Sequence, residues 1–197
     1  MTATLLAHRL TGNPDGPPLL FLNGGMMTIS SWERIAAPLG DSYRIVRCDL
    51  RGQLLSPGEP APSLDAHVAD VIALLDFLGV DRVHAAGTSY GALVALRFAI
   101  LHPERAASVI AIATTERITP EHWEGTVEVR AAALAAAAGG DGGQVLDLIF
   151  PVTYSPEYLE ANAAVLAAHR HQTSLLPPIW FRGLARILSS LEGLDLT

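Results

Sequence analysis

Short apolar runs alternate with helical patterns along the first 116 residues of the chain. The runs LLFLNGG, YRIVRCDL, DRVHAAG and AASVIAIATT are almost continuously apolar and stop at glycine or polar residues. Between them, SLDAHVADVIALLDFLGV has apolar residues at helical spacing, with Ser63 as N-cap and Gly79 at its end. Strands that are apolar on both faces and alternate with helices predict an α/β fold whose central sheet is mostly parallel and covered by helices on both faces.

Three further elements are predicted in the same part of the chain. ATLLAHRL, residues 3–10, has the pattern of a short first strand. SSWERIAAPLG predicts a helix capped by Ser30 or Ser31. YGALVALRFAILHPE predicts a mostly apolar helix that ends before Pro103.

The pattern changes after about residue 116. RAAALAAAAGGDGG predicts an alanine-rich helix that ends in a glycine-rich linker, and SPEYLEANAAVLAAHRHQTS and PPIWFRGLARILSSLEG predict two more helices. No convincing strand follows. We therefore divide the chain into an α/β core, residues 1–116, and a helical cap or lid over the sheet, residues 117–197. In such sheets, ligands bind beyond the carboxyl ends of the strands.

Composition and charge narrow the possible functions. Half of the 197 residues are hydrophobic, 17% are charged and the formal net charge is −7. Because no basic residues cluster, nucleic acid and anionic membranes are not expected partners. The single cysteine, Cys48, cannot form an internal disulfide. No signal-peptide pattern or apolar run long enough to span a membrane occurs, so we expect a cytoplasmic protein. The sequence has no P-loop, dinucleotide motif or metal-ligand cluster, so no cofactor or metal is expected.

The motif GTSYG, residues 87–91, is the strongest chemical signal in the sequence. On its own, G-x-S-x-G is a weak pattern. Here it follows the strand RVHAA and opens the helix ALVALRFAIL, and such a sharp strand-to-helix turn exposes a nucleophilic serine. The motif therefore predicts Ser89 as nucleophile, at a helix N-terminus that favours negative charge. In the alternative interpretation, Ser89 only caps the helix and the glycines only form the turn.

Two backbone amides are expected to form an oxyanion hole beside Ser89. One is the amide of Tyr90, the residue after the nucleophile. The other is expected from LNGGMM, residues 22–27, a small glycine-rich loop at the carboxyl end of an earlier strand, and Gly25 is our choice. The alternative is that this loop is an ordinary glycine turn.

Three stretches of the chain, with the helical block after them, resemble the α/β-hydrolase family in order and spacing. They are LLFLNGGMMTISSW, RCDLRGQLLSP and GTSYGALVALRFAILHPERAASVIAIATT. The most similar subgroup is the small cap-bearing esterase, enol-lactonase and haloperoxidase-like hydrolases. The resemblance implies that Ser89 is the nucleophile. A serine, rather than an aspartate, argues against the dehalogenase and epoxide-hydrolase branches, which depend on a carboxylate.

The resemblance also assigns the two loops next to the nucleophile. The family's histidine-glycine pair matches Asn23 and Gly24, which places the oxyanion donor at Gly25. Asp49 and Arg51 match the family's D-x-R-G loop. The chain departs from the family where Asn23 replaces the histidine and Leu54 replaces the second glycine of RGxG.

The sequence lacks a convincing base and acid for Ser89. His102 is thirteen residues further along the same helix, ~20 Å away at the rise of an α-helix. The remaining histidines lie in helices, strands or the cap and are not good candidates: His8, His67, His84, His122, His169 and His171. Glu116 is a weak candidate for the acid. We expect the last two strands, with the triad Asp and His, in a C-terminal fragment or second chain. The alternative is a disordered or truncated tail.

Large apolar side chains in the helical block suggest an apolar lid. They are Trp123, Phe150, Tyr154, Tyr158, Trp180 and Phe181. Any one of them could instead form the core of the cap, but together with Met26 they predict a small to medium hydrophobic acyl or lactone substrate. We expect Met26 and Trp123 to contact it.

The predicted function is a serine hydrolase that cleaves a carboxylic ester, lactone or thioester through an acyl-enzyme on Ser89. Hydrolysis of a C–C bond and cofactor-free perhydrolysis would use the same groups. The alternative from another class is a non-catalytic, hydrolase-like ligand-binding protein with an incomplete triad.

Overall fold

The structure, a computed structural model, describes residues 5–56, 61 and 63–197 and contains a five-stranded sheet. The strands follow in the order β1-β3-β2-β4-β5; β1 runs antiparallel to β3, and all other neighbours are parallel. This arrangement confirms the predicted mostly parallel sheet. The strands are β1 (His8–Gly12), β2 (Pro18–Leu22), β3 (Arg44–Cys48), β4 (Val83–Thr88) and β5 (Ala106–Ile112).

Helices connect the strands and continue to the end of the described chain. A short segment, residues 29–39, contains a 3₁₀ turn (Ile29–Trp32), α1 (Glu33–Ala36) and a second 3₁₀ turn (Ala37–Leu39). The other helices are α2 (Leu64–Phe77), α3 (Tyr90–Leu101), α4 (Pro120–Ala137), α5 (Gln144–Thr153), α6 (Pro156–Ala161), α7 (Ala163–Ser174) and α8 (Pro178–Ser189). None of the helices in the described residues combines the length and apolar character needed to cross a bilayer.

Of the two helix N-caps predicted from the sequence, the structure confirms one and corrects the other. Ser63 caps α2 as predicted, since its hydroxyl accepts from the amide of Ala66 at 3.3 Å. The expected N-cap at Ser30 or Ser31 is wrong. Thr28 is the N-cap of the 29–39 segment, and Ser31 instead accepts from the amide of Thr28 at 3.1 Å. The third residue of a turn can satisfy the N-cap amide in this way.

Other element boundaries also differ from the prediction. The first strand extends beyond residue 10 to Gly12, whose positive φ of 82° ends it; residues 1–4 lie outside the described chain. The segment predicted as one helix around residues 155–174 is divided at Asn162 into α6 and α7. The hydrophobic pattern did not predict α5.

Both faces of the sheet carry an apolar core. Helices α2 and α3 cover one face, where Leu22, Val46, Ala85 and Phe98 belong to the largest buried cluster. The 29–39 segment covers the other face, with Trp32 in a smaller cluster. A third cluster joins α4, α5 and α8 in the helical layer.

Strand β5 is left uncovered on the face that the 29–39 segment covers elsewhere. Ile110 pairs with Ala86 of that face, and Ile110 and Ile112 are 53% and 43% exposed. The opposite face of the same strand packs on the main core through Val109. A strand of a parallel sheet is normally buried on both faces, so half of β5 lacks the cover that its sequence requires.

The two ends of the helical layer meet beside the end of β5. The amide of Ile118 donates to the carbonyl of Leu194 at 3.0 Å, and the amide of Leu196 donates to Glu116 at 2.9 Å. Arg117 and Asp195 form the bridge between them. Helices α4–α8 therefore form one continuous insertion, which begins and ends beside the carboxyl end of β5.

Candidate active site

Ser89 lies on a sharp turn between β4 and α3. Its φ of 50° and ψ of −120° lie outside the backbone regions that residues other than glycine usually adopt. The side chain is exposed and lines a cavity. Strained conformations of this kind persist where the surrounding structure holds them, and they concentrate at functional sites. The turn presents the Ser89 hydroxyl to the cavity.

Two glycines allow strand and helix to approach closely at this turn. A Cβ atom at Gly87 would lie 2.3 Å from the carbonyl oxygen of Gly91, and one at Gly91 would lie 2.2 Å from that of Leu22. Both neighbours are backbone atoms of packed elements and cannot move aside cheaply. The glycines of GTSYG are therefore steric requirements of the turn.

Tyr90 and Gly25 both line the same cavity as Ser89. Tyr90 is the first residue of α3, and amides in the first turn of a helix have no acceptor within the helix. The Tyr90 side chain points into the protein, where its hydroxyl and that of Ser190 are 2.9 Å apart, and burial raises the pKa of its phenol. Tyr90 can thus contribute its amide, and not its phenol, to chemistry at Ser89.

The loop that carries Gly25 is fixed by buried polar side chains. Asn23 accepts from the indole nitrogen of Trp32 at 2.7 Å and donates to Asp49 Oδ1 at 2.9 Å. Asp49 also accepts from the amides of Ile29 at 2.8 Å and Leu55 at 3.0 Å. Burial raises the pKa of Asp49, while these three donors lower it. Asn23 and Asp49 thus tie together the two loops that the sequence singled out.

The cavity has a volume of about 900 Å³ and lies between the carboxyl end of the sheet and the helical layer. The loop of residues 22–27 and Ser89 form its floor, and α5, α7 and α8 form its roof. Helix α8 touches the loop directly, because a Cβ atom at Gly25 would lie 3.2 Å from Leu184 Cδ1. Examples of roof residues are Leu146, Ile149, Phe150, His169, Leu184 and Ile187. Among the described residues, the lining includes no Asp, Glu, Lys or Arg.

Of the two residues expected to contact substrate, the structure places one in the cavity. Met26 lines it, next to Gly25. Trp123, at the start of α4, packs instead against the main core and is not among the lining residues. The sequence could not distinguish these positions, since a tryptophan in an apolar helix fits either a cavity wall or a core.

The histidines do not supply an evident base for Ser89. All seven lie in the described part of the chain, and none of them hydrogen-bonds to Ser89 there. Only His169, on α7, is among the cavity-lining residues, and its ring lies 6.0 Å from that of Phe150. The sequence did not single out His169 as a cavity residue. Glu116 is exposed beyond β5 and is not part of the lining.

Another cluster of titratable side chains is buried next to Tyr90, behind the turn that carries Ser89. The ring of His67 lies 5.4 Å from that of Tyr90, and within the described chain neither of its nitrogens has a hydrogen-bond partner. Burial lowers the pKa of His67 to about 4, partly offset by the charge of Asp70. Asp70 forms a two-point ion pair with Arg51. In the part of the chain that the structure describes, this cluster included, no three His, Cys, Asp or Glu side chains converge as a metal site would require.

Comparison with known proteins shows which family the chain belongs to. The sequence model described as "alpha/beta hydrolase fold" matches residues 17–140. "Epoxide hydrolase 2" of Siraitia grosvenorii is 36% identical over 100 residues, which are 49% of this chain and 32% of that protein. "Pimeloyl-[acyl-carrier protein] methyl ester esterase" of Aeromonas hydrophila is 33% identical over 136 residues, 68% of this chain and 52% of the relative.

A solved structure of an enol-lactonase has a similar fold. The crystal structure of the enol-lactonase from Burkholderia xenovorans LB400 superposes with a TM-score of 0.79 at 26% identity, covering 97% of this chain and 71% of that one. The chain spans about a third of the first of these curated relatives and about half of the second. Since the family model matches more than half of the chain, the protein belongs to the α/β-hydrolase family and is related to its esterases, enol-lactonases and epoxide hydrolases.

Proposed function

We propose that this chain is the nucleophile-bearing part of a serine hydrolase that cleaves an uncharged carboxylic ester, lactone or thioester. The observation that carries the proposal is the backbone of Ser89, held at φ 50° on a turn that opens into an apolar cavity. If the turn were needed only for packing, a glycine at this position would form it without strain. The strained turn is explained if the hydroxyl at that point is needed.

The proposed reaction is acyl transfer in two steps. Ser89 Oγ attacks the substrate carbonyl while a histidine takes its proton, and the amides of Gly25 and Tyr90 bind the oxyanion. The leaving alcohol or thiol takes that proton, which leaves an ester on Ser89. Water, deprotonated by the same histidine, then attacks this ester; the carboxylic acid leaves and the proton returns to Ser89.

The nature of the nucleophile decides between the activities of the relatives. A serine that opened an epoxide would form an ether, which water does not cleave under mild conditions. A serine that attacks a carbonyl forms an ester, which water does cleave. Ser89 therefore supports the esterase and lactonase chemistry and not epoxide hydrolysis. The absence of charged side chains among the described lining residues favours a substrate that is neutral around the carbonyl.

A fluorophosphonate probe tests the nucleophile. We expect one probe per active protein, attached to Ser89, and no labelling in Ser89→Ala. Ser30→Ala is the matched control, because Ser30 lines the same cavity away from the turn and its removal should leave labelling intact. If the folded, complete protein is not labelled, the proposal is wrong.

The base and its acid are proposed to come from polypeptide outside residues 1–197. The support is the uncovered face of β5 at Ile110 and Ile112, next to the end of the strand that precedes the helical layer. A further strand with its helix would cover this face and would end at the same edge of the sheet as Ser89.

Intact-mass analysis of the active protein tests the source of the base. A species that carries a histidine-containing segment beyond residues 1–197 should accompany activity. His169→Ala should remain labelled, because His169 is then only a wall of the cavity. Activity in a sample of residues 1–197 alone, lost in His169→Ala, would instead identify His169 as the base.

The absence of a histidine bonded to Ser89 in the described chain favours a second candidate, a ligand-binding protein that does not turn its ligand over. In that case the chain would bind a neutral ester or lactone, and Ser89→Ala would bind it equally well. Labelling and hydrolysis would both be absent in the complete protein.

A further inference from the structure

We infer that Gln53 is a positioning residue, which aims the amide of Gly25 at the developing oxyanion. The inference rests on the proposed function, because it concerns the donor that acts on the intermediate at Ser89. It is carried by the hydrogen bonds of the Gln53 side chain and by the planarity of the peptide that it holds.

The Gln53 side chain is buried and bonded at both ends of its amide. Its nitrogen donates to the carbonyl oxygen of Gly24 at 2.7 Å. Its oxygen accepts from the amide of Leu50 at 2.8 Å and from Asn23 Nδ2 at 3.2 Å. Since two of its partners are donors and the third is an acceptor, only one orientation of the Gln53 amide satisfies all three.

The bond to Gly24 fixes the direction of the Gly25 amide. The carbonyl of Gly24 and the N–H of Gly25 belong to one planar trans peptide and point in opposite directions. Gln53 holds the carbonyl on the buried side of the loop, so the N–H faces the other side. Gly25 lines the cavity and Gln53 does not, which makes the cavity the side that the N–H faces.

Apart from a turn within its own loop, the bond from Gln53 is what determines the orientation of that peptide. Both residues that it joins are glycines, whose backbone angles are the least restricted of any residue. The amide of Met27 also donates to the carbonyl of Gly24, at 3.0 Å, and closes a turn within the loop. Gln53 is the contact that ties this peptide to the rest of the core, through Asn23 and Leu50.

The variant Gln53→Glu tests the inference, because it keeps the length and the acceptor oxygen and loses the donor. In the complete protein we expect kcat to fall about 10- to 100-fold while KM changes little, since an oxyanion donor acts mainly on the transition state. A buried glutamate near Asp49 should have a raised pKa. Its protonated form can donate to Gly24, so the ratio of variant to wild-type kcat should rise as the pH is lowered.

Ser56→Ala is the matched control. The Ser56 hydroxyl bonds to the carbonyl of Asp49 and accepts from the amide of Ala7 at 3.0 Å, in the same buried network but away from the Gly24–Gly25 peptide. This variant should lower the melting temperature and leave kcat of the folded enzyme within about twofold. If Gln53→Glu does not fold, Gln53→His, which retains a ring N–H, should be more active than Gln53→Leu.

The result that overturns the inference is distinct from the one that overturns the function. If Ser89 is labelled and the Gln53 variants keep wild-type kcat at every pH, Gln53 has no positioning role and the hydrolase stands. If wild type is not labelled, the function fails. The amide resonance of Gly25 still reports the geometry, and an unchanged resonance in Gln53→Glu then rejects the inference as well.

Discussion

Ser89 shows at the scale of one residue how the proposed catalysis and the folding of the backbone make opposite demands. Glycine adopts φ 50° and ψ −120° without a steric penalty, whereas a residue with a Cβ atom does not. The neighbouring glycines at 87 and 91 are there because backbone atoms lie about 2.2–2.3 Å from where their Cβ atoms would be. The turn thus has glycine at the two positions where a Cβ atom would collide with backbone, and it keeps a side chain at Ser89 despite the positive φ.

Replacement of Ser89 by glycine should therefore stabilise the fold while it removes the proposed nucleophile. We expect the free energy of unfolding of Ser89→Gly to exceed that of Ser89→Ala by about 1 kcal/mol, because alanine retains the strain and glycine relieves it. Both variants lack the hydroxyl, so the comparison isolates the backbone. Denaturant unfolding measures the difference, and equal stabilities would show that the turn is not strained.

His67 makes stability depend on pH. Its pKa is lowered to about 4 in the fold, from an ordinary value of 6.5, chiefly by burial; the charge of Asp70 opposes this and that of Arg51 adds to it. Between these two values the unfolded state binds a proton that the native state does not bind. Stability is therefore lost as the pH falls from about 6.5 towards 4.

His67→Phe should remove this pH dependence. Phenylalanine has a similar shape, can keep the edge-on contact with Tyr90, and leaves no buried nitrogen without a partner. Relative to wild type, the variant should gain about 2 kcal/mol of unfolding free energy between pH 7.5 and pH 5. Urea unfolding at the two pH values measures this gain. Parallel pH profiles for the two proteins would contradict the assignment.

At the scale of elements, helix α8 determines the shape of the site. It packs on the D-x-R-G loop so closely that a Cβ atom at Gly183 would lie 1.9 Å from the carbonyl oxygen of Gly52. The same helix places Leu184 over Gly25 and contributes Ile187 to the cavity wall. The position of α8 therefore sets how much space lies above the loop that carries Gly25.

Gly183→Ala should displace α8 from this loop. We expect a loss of about 1–3 kcal/mol of unfolding free energy, because backbone atoms on both sides resist the added methyl group, and a higher KM from the altered roof. Gly125→Ala is the control in α4, where an added Cβ atom would meet nothing within 4 Å. It should stabilise the protein by about 0.5–1 kcal/mol. Equal effects of the two substitutions would mean that α8 adjusts freely.

The elements also show which features local sequence could predict. Ser89, Gly25 and the cap at Ser63 depend on neighbours within a few positions, so their patterns are visible in a single stretch. The contacts of Trp123 and His169 depend on how α4 and α7 lie across the sheet, which no local pattern encodes. Gln53 was missed for the same reason, since its partners Asn23 and Gly24 are about 30 residues away in sequence.

At the scale of the whole molecule, the sheet is covered unevenly. The face of β2 and β3 beneath the 29–39 segment is buried, whereas Ile110 and Ile112 of β5 are exposed on the continuation of that face. Strand β5 is also an edge, and an apolar edge strand tends to associate with other chains. These two properties are explained together if additional polypeptide packs against β5, as proposed above.

Ile110→Lys should have opposite effects in residues 1–197 alone, where this face of β5 is exposed, and in the complete protein, where we propose that it is covered. In residues 1–197 alone, the charge should reduce aggregation, because it breaks the exposed apolar patch. In the complete protein it should lower stability and hydrolysis, since a lysine would be buried by the strand or helix that covers β5. Val165→Lys is the control, with an aliphatic side chain 68% exposed on α7, which packs on α5 and α6.

Light scattering and ester hydrolysis measure the two effects of Ile110→Lys. Val165→Lys should change neither aggregation nor hydrolysis by more than about twofold, because its side chain stays in solvent in both forms. If Ile110→Lys is equally harmless in the complete protein, nothing covers this face of β5. The structural support for a base outside residues 1–197 would then be lost, and His169 in the cavity wall would become the residue to test.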